Sequence, residues 1–141
     1  MLVAMALAPA QSSAATRTKL LARAQVLKIA LRVAKADGEA RPTRIELASG
    51  KLKAAVKVFD PRAHPTAAGL RALGGAKSAV DVVAMRGHFT SHGPHPHNKP
   101  EPKGRALELI MNARTGTVFG VSLGPKVPVA LSRLGHVTRL R

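Results

Sequence analysis

The sequence predicts an α+β domain: one N-terminal amphipathic helix packed on an antiparallel sheet of four or five strands. Three observations carry this expectation. Apolar residues recur at spacings of three and four in the first third of the chain, as one face of a helix requires. Further on, several runs alternate apolar and polar side chains with the period of a half-buried strand. Between two of those runs stands Asn112-Ala113-Arg114-Thr115-Gly116, whose Asn and Gly suit a tight hairpin.

Residues 1–14, MLVAMALAPAQSSA, precede the domain and are apolar, then small. Ser12-Ser13-Ala14 before Ala15 has the small-residue character that a signal peptidase accepts, although no basic residues open the segment. It reads either as the end of a truncated signal peptide or as an apolar terminus, and the first reading makes the protein secreted or extracytoplasmic. The run is too short to span a bilayer, so no transmembrane segment is expected. Residues 15–141 then form a single domain, since 141 residues suffice for one core and not for two of ordinary size.

The helix is expected over residues 16–37, with Leu20, Ala24, Leu27, Leu31 and Ala34 on its apolar face, Thr16 or Thr18 as cap and Gly38 as stop. Packing on its own sheet accounts for that face, and a basic amphipathic helix can also lie on an anionic membrane. After Pro42, TRIELAS places Ile45 and Leu47 on one side and Arg44 and Glu46 on the other. KLKAAVKVF alternates in the same way, so the two are expected to pair as a hairpin through Ser49-Gly50. Thr66 to Leu73 suits a short helix ended by Gly74. DVVAMRGHFT is apolar on both faces near its start, which predicts a central strand, and Gly87 within it predicts a bulge or a close backbone approach. A loop at 91–104, rich in His and Pro, leads to the hairpin strands starting at Arg105 and Thr117. The tail allows one helical turn before Gly135 and an edge strand from His136 to Leu140.

Charge is the most unusual feature. Lys and Arg number 23 against 7 acidic residues, a formal net charge of +16 that attracts polyanions without specifying a fold. Lys51, Lys53 and Lys57, on the polar face of the expected second strand, are candidate polyanion-binding residues; solvated lysines that protect a strand from aggregation would look the same. Nucleic acid would be bound only nonspecifically, because the basic residues are dispersed and Phe59, Phe89 and Phe119 all lie in expected strands.

His88, His92, His95 and His97 are the candidate metal ligands, for Zn, Cu or Ni, since imidazoles close in sequence can converge on one ion. An exposed loop with adventitious affinity is the competing reading, and otherwise no cofactor is expected. Protonation of all six histidines would take the formal charge from +16 to +22, which would strengthen polyanion binding in acid. The chain has no Cys, which excludes disulfides and thiolate chemistry. The acids Asp37, Glu39, Glu46, Asp60, Asp81, Glu101 and Glu108 form no recognisable catalytic pair, and there is no G-x-S-x-G elbow, P-loop or G-x-G-x-x-G. No enzyme is expected.

The segment VVAMRGHFT, the Pro-rich loop, the hairpin RALELIMNARTGTVFGVSLG and LSRLG together resemble small exported actinobacterial proteins of unknown function, over about residues 80–136. The order of helix, strands and a hairpin carrying Ala113-Arg114-Thr115-Gly116-Thr117-Val118 is distantly similar to PepSY-like domains. That resemblance implies one helix on a small antiparallel sheet, export, and a binding or inhibitory role without catalysis. The expected function is an extracytoplasmic, non-catalytic binding protein with a strongly basic surface, whose partner is an anionic cell-envelope polymer or another protein. The alternatives are a metal-binding protein acting through the His-rich loop and a nonspecific nucleic-acid-binding protein.

Overall fold

The computed structural model of the chain describes residues 19–126 and 131–141. It is an α+β fold, with helix α1 (Arg23–Ala36) against one face of a five-stranded antiparallel sheet. The strands are β1 (Arg44–Lys51), β2 (Ala79–Thr90), β3 (Lys103–Asn112), β4 (Val118–Gly124) and β5 (Val137–Arg139), in spatial order β4-β3-β2-β1-β5. Helices α2 (Leu52–Phe59) and α3 (Ala67–Ala72) lie between β1 and β2 in the chain. The segment 1–14 and the proposed caps Thr16 and Thr18 fall outside the described residues.

Helix α1 begins at Arg23 instead of residue 16 among the described residues. The chain before it is engaged elsewhere: the Leu21 N–H donates to the Ala113 carbonyl at 2.8 Å, which ties the entry to the end of β3. At the helix start the Gln25 side-chain oxygen accepts from the Ala22 N–H at 3.1 Å, so a Gln three residues in does the capping. The buried stripe is Val26, Ala30 and Ala34, flanked by Leu27, Ile29, Leu31 and Val33. Leu20 and Ala24, expected inside, are exposed. Two alanines on the stripe let the helix axis approach the sheet closely, which leucines would prevent. The helix stops as expected at Gly38, whose φ is 85°.

The main correction concerns residues 51–59. KLKAAVKVF is helix α2, and no hairpin forms at Ser49-Gly50. Its apolar residues Leu52, Ala55, Val56 and Phe59 also satisfy the i, i+3, i+4, i+7 spacing, so the run fits both periods. Tertiary bonds select the helix: the Leu52 and Lys53 N–H groups, which a helix start leaves free, donate to the Ser78 and Ala76 carbonyls at 2.9 and 3.1 Å. Gly50 lies inside β1, paired with Val80, and the Leu134 side chain fills the space its Cβ would need. β1 therefore pairs with β2, in register Ile45 with Met85 and Leu47 with Val83.

β2 is central, as its two apolar faces imply. Val83, Met85 and Phe89 join Ile45, Leu107, Leu109 and Met111 under α1. Val80, Val82 and Ala84 face the second layer, where Leu52, Ala55, Leu70, Ile110 and Leu131 close a separate apolar cluster. The short helix α3 is capped by the Thr66 hydroxyl, which accepts from the Gly69 N–H at 3.0 Å. In the hairpin, the Asn112 side-chain oxygen accepts from the Arg114 and Thr115 N–H groups at 2.8 and 3.0 Å, and Gly116 takes φ 74°. β3 starts at Lys103, so the His/Pro loop is shorter than 91–104: the Ser91 N–H already meets the Pro102 carbonyl at 2.8 Å. The tail forms one helical turn at Leu131–Arg133, and β5 is an edge strand beside β1.

Candidate anion-binding cleft

The end of β2 is where backbone irregularity and charge coincide. Arg86 pairs with Ala106 and Phe89 with Gly104, so β2 carries an extra residue there and bulges around Gly87. The linker from α1 to β1 supplies the bonds that a regular strand would have made. Thr43 donates its N–H to the Arg86 carbonyl at 2.8 Å, and the Thr90 N–H donates to the Asp37 carbonyl at 2.8 Å. Between them the Glu39 carboxylate accepts from the His88 N–H and the Arg41 N–H, each at 2.9 Å. A Cβ on Gly87 would stand 2.7 Å from the Glu39 Cγ, so only glycine lets that side chain lie across the strand. The His88 N–H, then the Arg41 N–H, hold the Glu39 carboxyl below its usual pKa. It is a fixed anion with its lone pairs partly spent.

Around this anchor open two adjoining hollows. The first, about 390 Å³, is bounded by Glu39, Thr43, Arg86, His88, Arg105 and Lys126. The second, about 550 Å³, shares His88, Arg105 and Pro125 with it and adds Lys103. Arg86, Lys103, Arg105 and Lys126 are exposed, and among the described residues none of them is in an ion pair. The undescribed stretches contain no Asp or Glu that could pair with them. Cations set around one already-bonded carboxylate make a local excess of positive charge on a rigid sheet end, suited to a carboxylate or phosphate group.

The residues singled out from sequence are distributed differently. His88 lies in the cleft. His92 meets Glu101 at 3.4 Å, and His95 approaches the Gly93 carbonyl at 3.2 Å. Among the described residues no three His, Asp or Glu side chains come together as a metal site would need, so His88, His92, His95 and His97 do not converge. Lys53 and Lys57 sit one turn apart on the exposed side of α2, while Lys51 ends β1, so the three do not line one strand face. All three Phe side chains are engaged: Phe89 under α1, Phe59 and Phe119 against the second layer. They offer no stacking platform for bases. Arg86, Lys103, Arg105 and Lys126 drew no attention in the sequence; the available signal was Gly87, which marks the bulge that assembles them.

A third hollow, apart from these, of about 330 Å³, gathers Arg23, Ser49, Asp81, His136 and Thr138. Its Ser, His and Asp are not arranged for nucleophilic catalysis. The Ser49 hydroxyl donates directly to the Asp81 carboxylate, whereas activation needs the hydroxyl on the imidazole and the carboxylate behind it. Burial raises the Asp81 carboxyl, and the Ser49 hydroxyl partly offsets this. Among the described residues no helix is long and apolar enough to cross a membrane. No family model matches the chain, and no curated protein or solved structure matches it.

Proposed function

We propose that the protein is a non-catalytic, extracytoplasmic binding protein that receives an anionic group of its partner in the cleft at the bulged end of β2. The observation that carries this reading is the set of unpaired cations, Arg86, Lys103, Arg105 and Lys126, fixed around the Glu39-braced bulge. Diffuse charge alone would attract polyanions anywhere on the surface; cations on adjacent strand ends recognise a compact anion. A binding role is also what the PepSY-like resemblance implies. Export is supported by the apolar-then-small pattern of residues 1–14.

The test compares two double variants of equal net charge. Arg86→Gln with Arg105→Gln removes cleft charge, and Lys53→Gln with Lys57→Gln removes the same charge from α2. Titration with pyrophosphate at fixed salt is expected to show a loss of about tenfold or more for the first and less than about twofold for the second. Equal losses would mean that net charge does the binding and would refute the cleft. For export, the native protein is expected to begin at Ala15, and retention of Met1 on the functional protein would refute it.

A further inference from the structure

The sheet has two edges, and they are not alike. β5 is three residues long, ends on Arg139 and is followed closely by Arg141, so it is a poor template for another strand. β4 is seven residues long, VFGVSLG, and is the only described strand without a charged residue. A long, uncharged edge is the kind that natural proteins usually blunt with Lys or Pro. In a chain of net charge +16, the omission of every Lys and Arg from this strand is conspicuous.

The backbone register shows what the edge offers. Asn112 bonds across to Thr117, while Ala113 bonds in the other direction to Ala79 of β2. Even-numbered residues of β3 therefore bond toward β4, and their partners Ser122 and Gly124 point their backbone groups inward. Val121 and Leu123, between them, point N–H and C=O outward, and among the described residues no strand lies beyond. Val121 is also one of the few large apolar side chains left exposed, at 47%. The last residue of β4, Gly124, adjoins Pro125 and Lys126, which bound the basic cleft with Lys103 and Arg105.

We infer that β4 is a docking edge for an extended peptide segment of a partner protein, which adds a sixth strand and places acidic residues at its Gly124 end into the cleft. This rests on the anion-binding reading of that cleft. Main-chain hydrogen bonds to Val121 and Leu123 supply the pairing, and alternate side chains lie beside Val121 on the α1 face. Charge selects the occupant. A second copy would bring another +16 surface alongside, whereas an acid-ended strand is drawn to Lys103, Arg105 and Lys126. The ligand class is thus an unfolded or loosely folded polypeptide with an apolar-alternating stretch next to a run of Asp or Glu.

The probe is a fluorescein-labelled peptide of alternating Val and Thr ending in three Glu, used with the full chain and read by anisotropy. It is expected to bind at least about tenfold more tightly than the same peptide ending in three Lys. Methylating alternate backbone nitrogens of the peptide is expected to cost about tenfold or more, because it removes only strand pairing. Val121→Pro removes an outward N–H at an edge position and is expected to do the same, with circular dichroism confirming the fold. NMR shifts on adding the Glu-ended peptide are expected in residues 118–124 as well as in the cleft. Equal binding by the N-methylated peptide, or shifts confined to the cleft, would overturn strand docking. Concentration-dependent dimers in sedimentation with no peptide binding would assign the edge to a second copy and overturn it too. Pyrophosphate binding in the same samples separates the two readings: if it persists while the peptide fails, only the docking edge is lost.

Discussion

Glu108 sits in the middle of β3 between Ala84 of β2 and Ser122 of β4, is 1% exposed, and has no hydrogen-bond partner on either carboxylate oxygen among the described residues. Burial disfavours its charged form and pushes its pKa from 4.5 up to about 7. Because the folded pKa is raised, the folded state holds the proton between these values while the unfolded chain releases it. Stability therefore falls as pH rises from about 4.5 to about 7 and levels off above. At roughly 1.4 kcal/mol per unit of pKa, the full penalty is about 3 kcal/mol at pH 8 and about 1 kcal/mol at pH 5. Glu108→Gln keeps the shape and removes the charge. Its melting temperature is expected to exceed that of the parent by about 10 °C at pH 8 and by only a few degrees at pH 5. The assay is thermal unfolding by circular dichroism at both pH values. A gain of equal size at both, or no gain at pH 8, would refute a carboxyl held neutral by burial.

Gly87→Ala is expected to displace the Glu39 carboxylate, since its Cβ would lie 2.7 Å from Glu39 Cγ; an NMR titration should then show the Glu39 pKa returning toward its ordinary value. The same lowered pKa means that the Glu39 contribution to stability is present above its unfolded value of 4.5 and is lost as pH falls through the folded one, so Glu39→Gln should flatten the acid limb of the stability curve. Gly116→Ala combines φ 74° with a Cβ 2.5 Å from the Ile29 Cδ1 and is expected to cost about 1–3 kcal/mol in urea unfolding, by strain at the turn and loss of its seat on α1. For the loop, zinc titrated into the protein and into the variant with His92, His95 and His97 changed to Ala should give the same weak heats; a one-to-one isotherm lost in the variant would restore the metal reading.

Much of the fold was legible because it depends on short-range chemistry. The hairpin follows from Asn112 and Gly116, which supply a side-chain acceptor and a positive φ whatever surrounds them. The centrality of β2 follows from apolar residues on both of its faces, and the end of α1 from Gly38. Residues 51–59 were not legible. Their side chains fit periods of both 2 and 3.6, and the choice was made by carbonyls of Ala76 and Ser78, some 25 residues away in the chain, that satisfy the first N–H groups of α2. With that helix the sheet acquires a second covered face, and Lys53 and Lys57 become one solvated helix side instead of a strand face.

The cleft divides in the same way. Sequence by itself determined that the protein is strongly basic, lacks thiol chemistry and carries an irregularity at Gly87, because composition and the missing Cβ are properties of single residues. It could not say which of 23 cations matter. Arg86, Lys103, Arg105 and Lys126 are spread over some 40 positions and meet only because β2, β3 and the turn after β4 end at the same side of the sheet. The histidines show the converse: close in sequence, they form no group of three ligands among the described residues. Proximity along the chain is a poor guide to proximity in space where register, and not loop composition, decides which side chains converge.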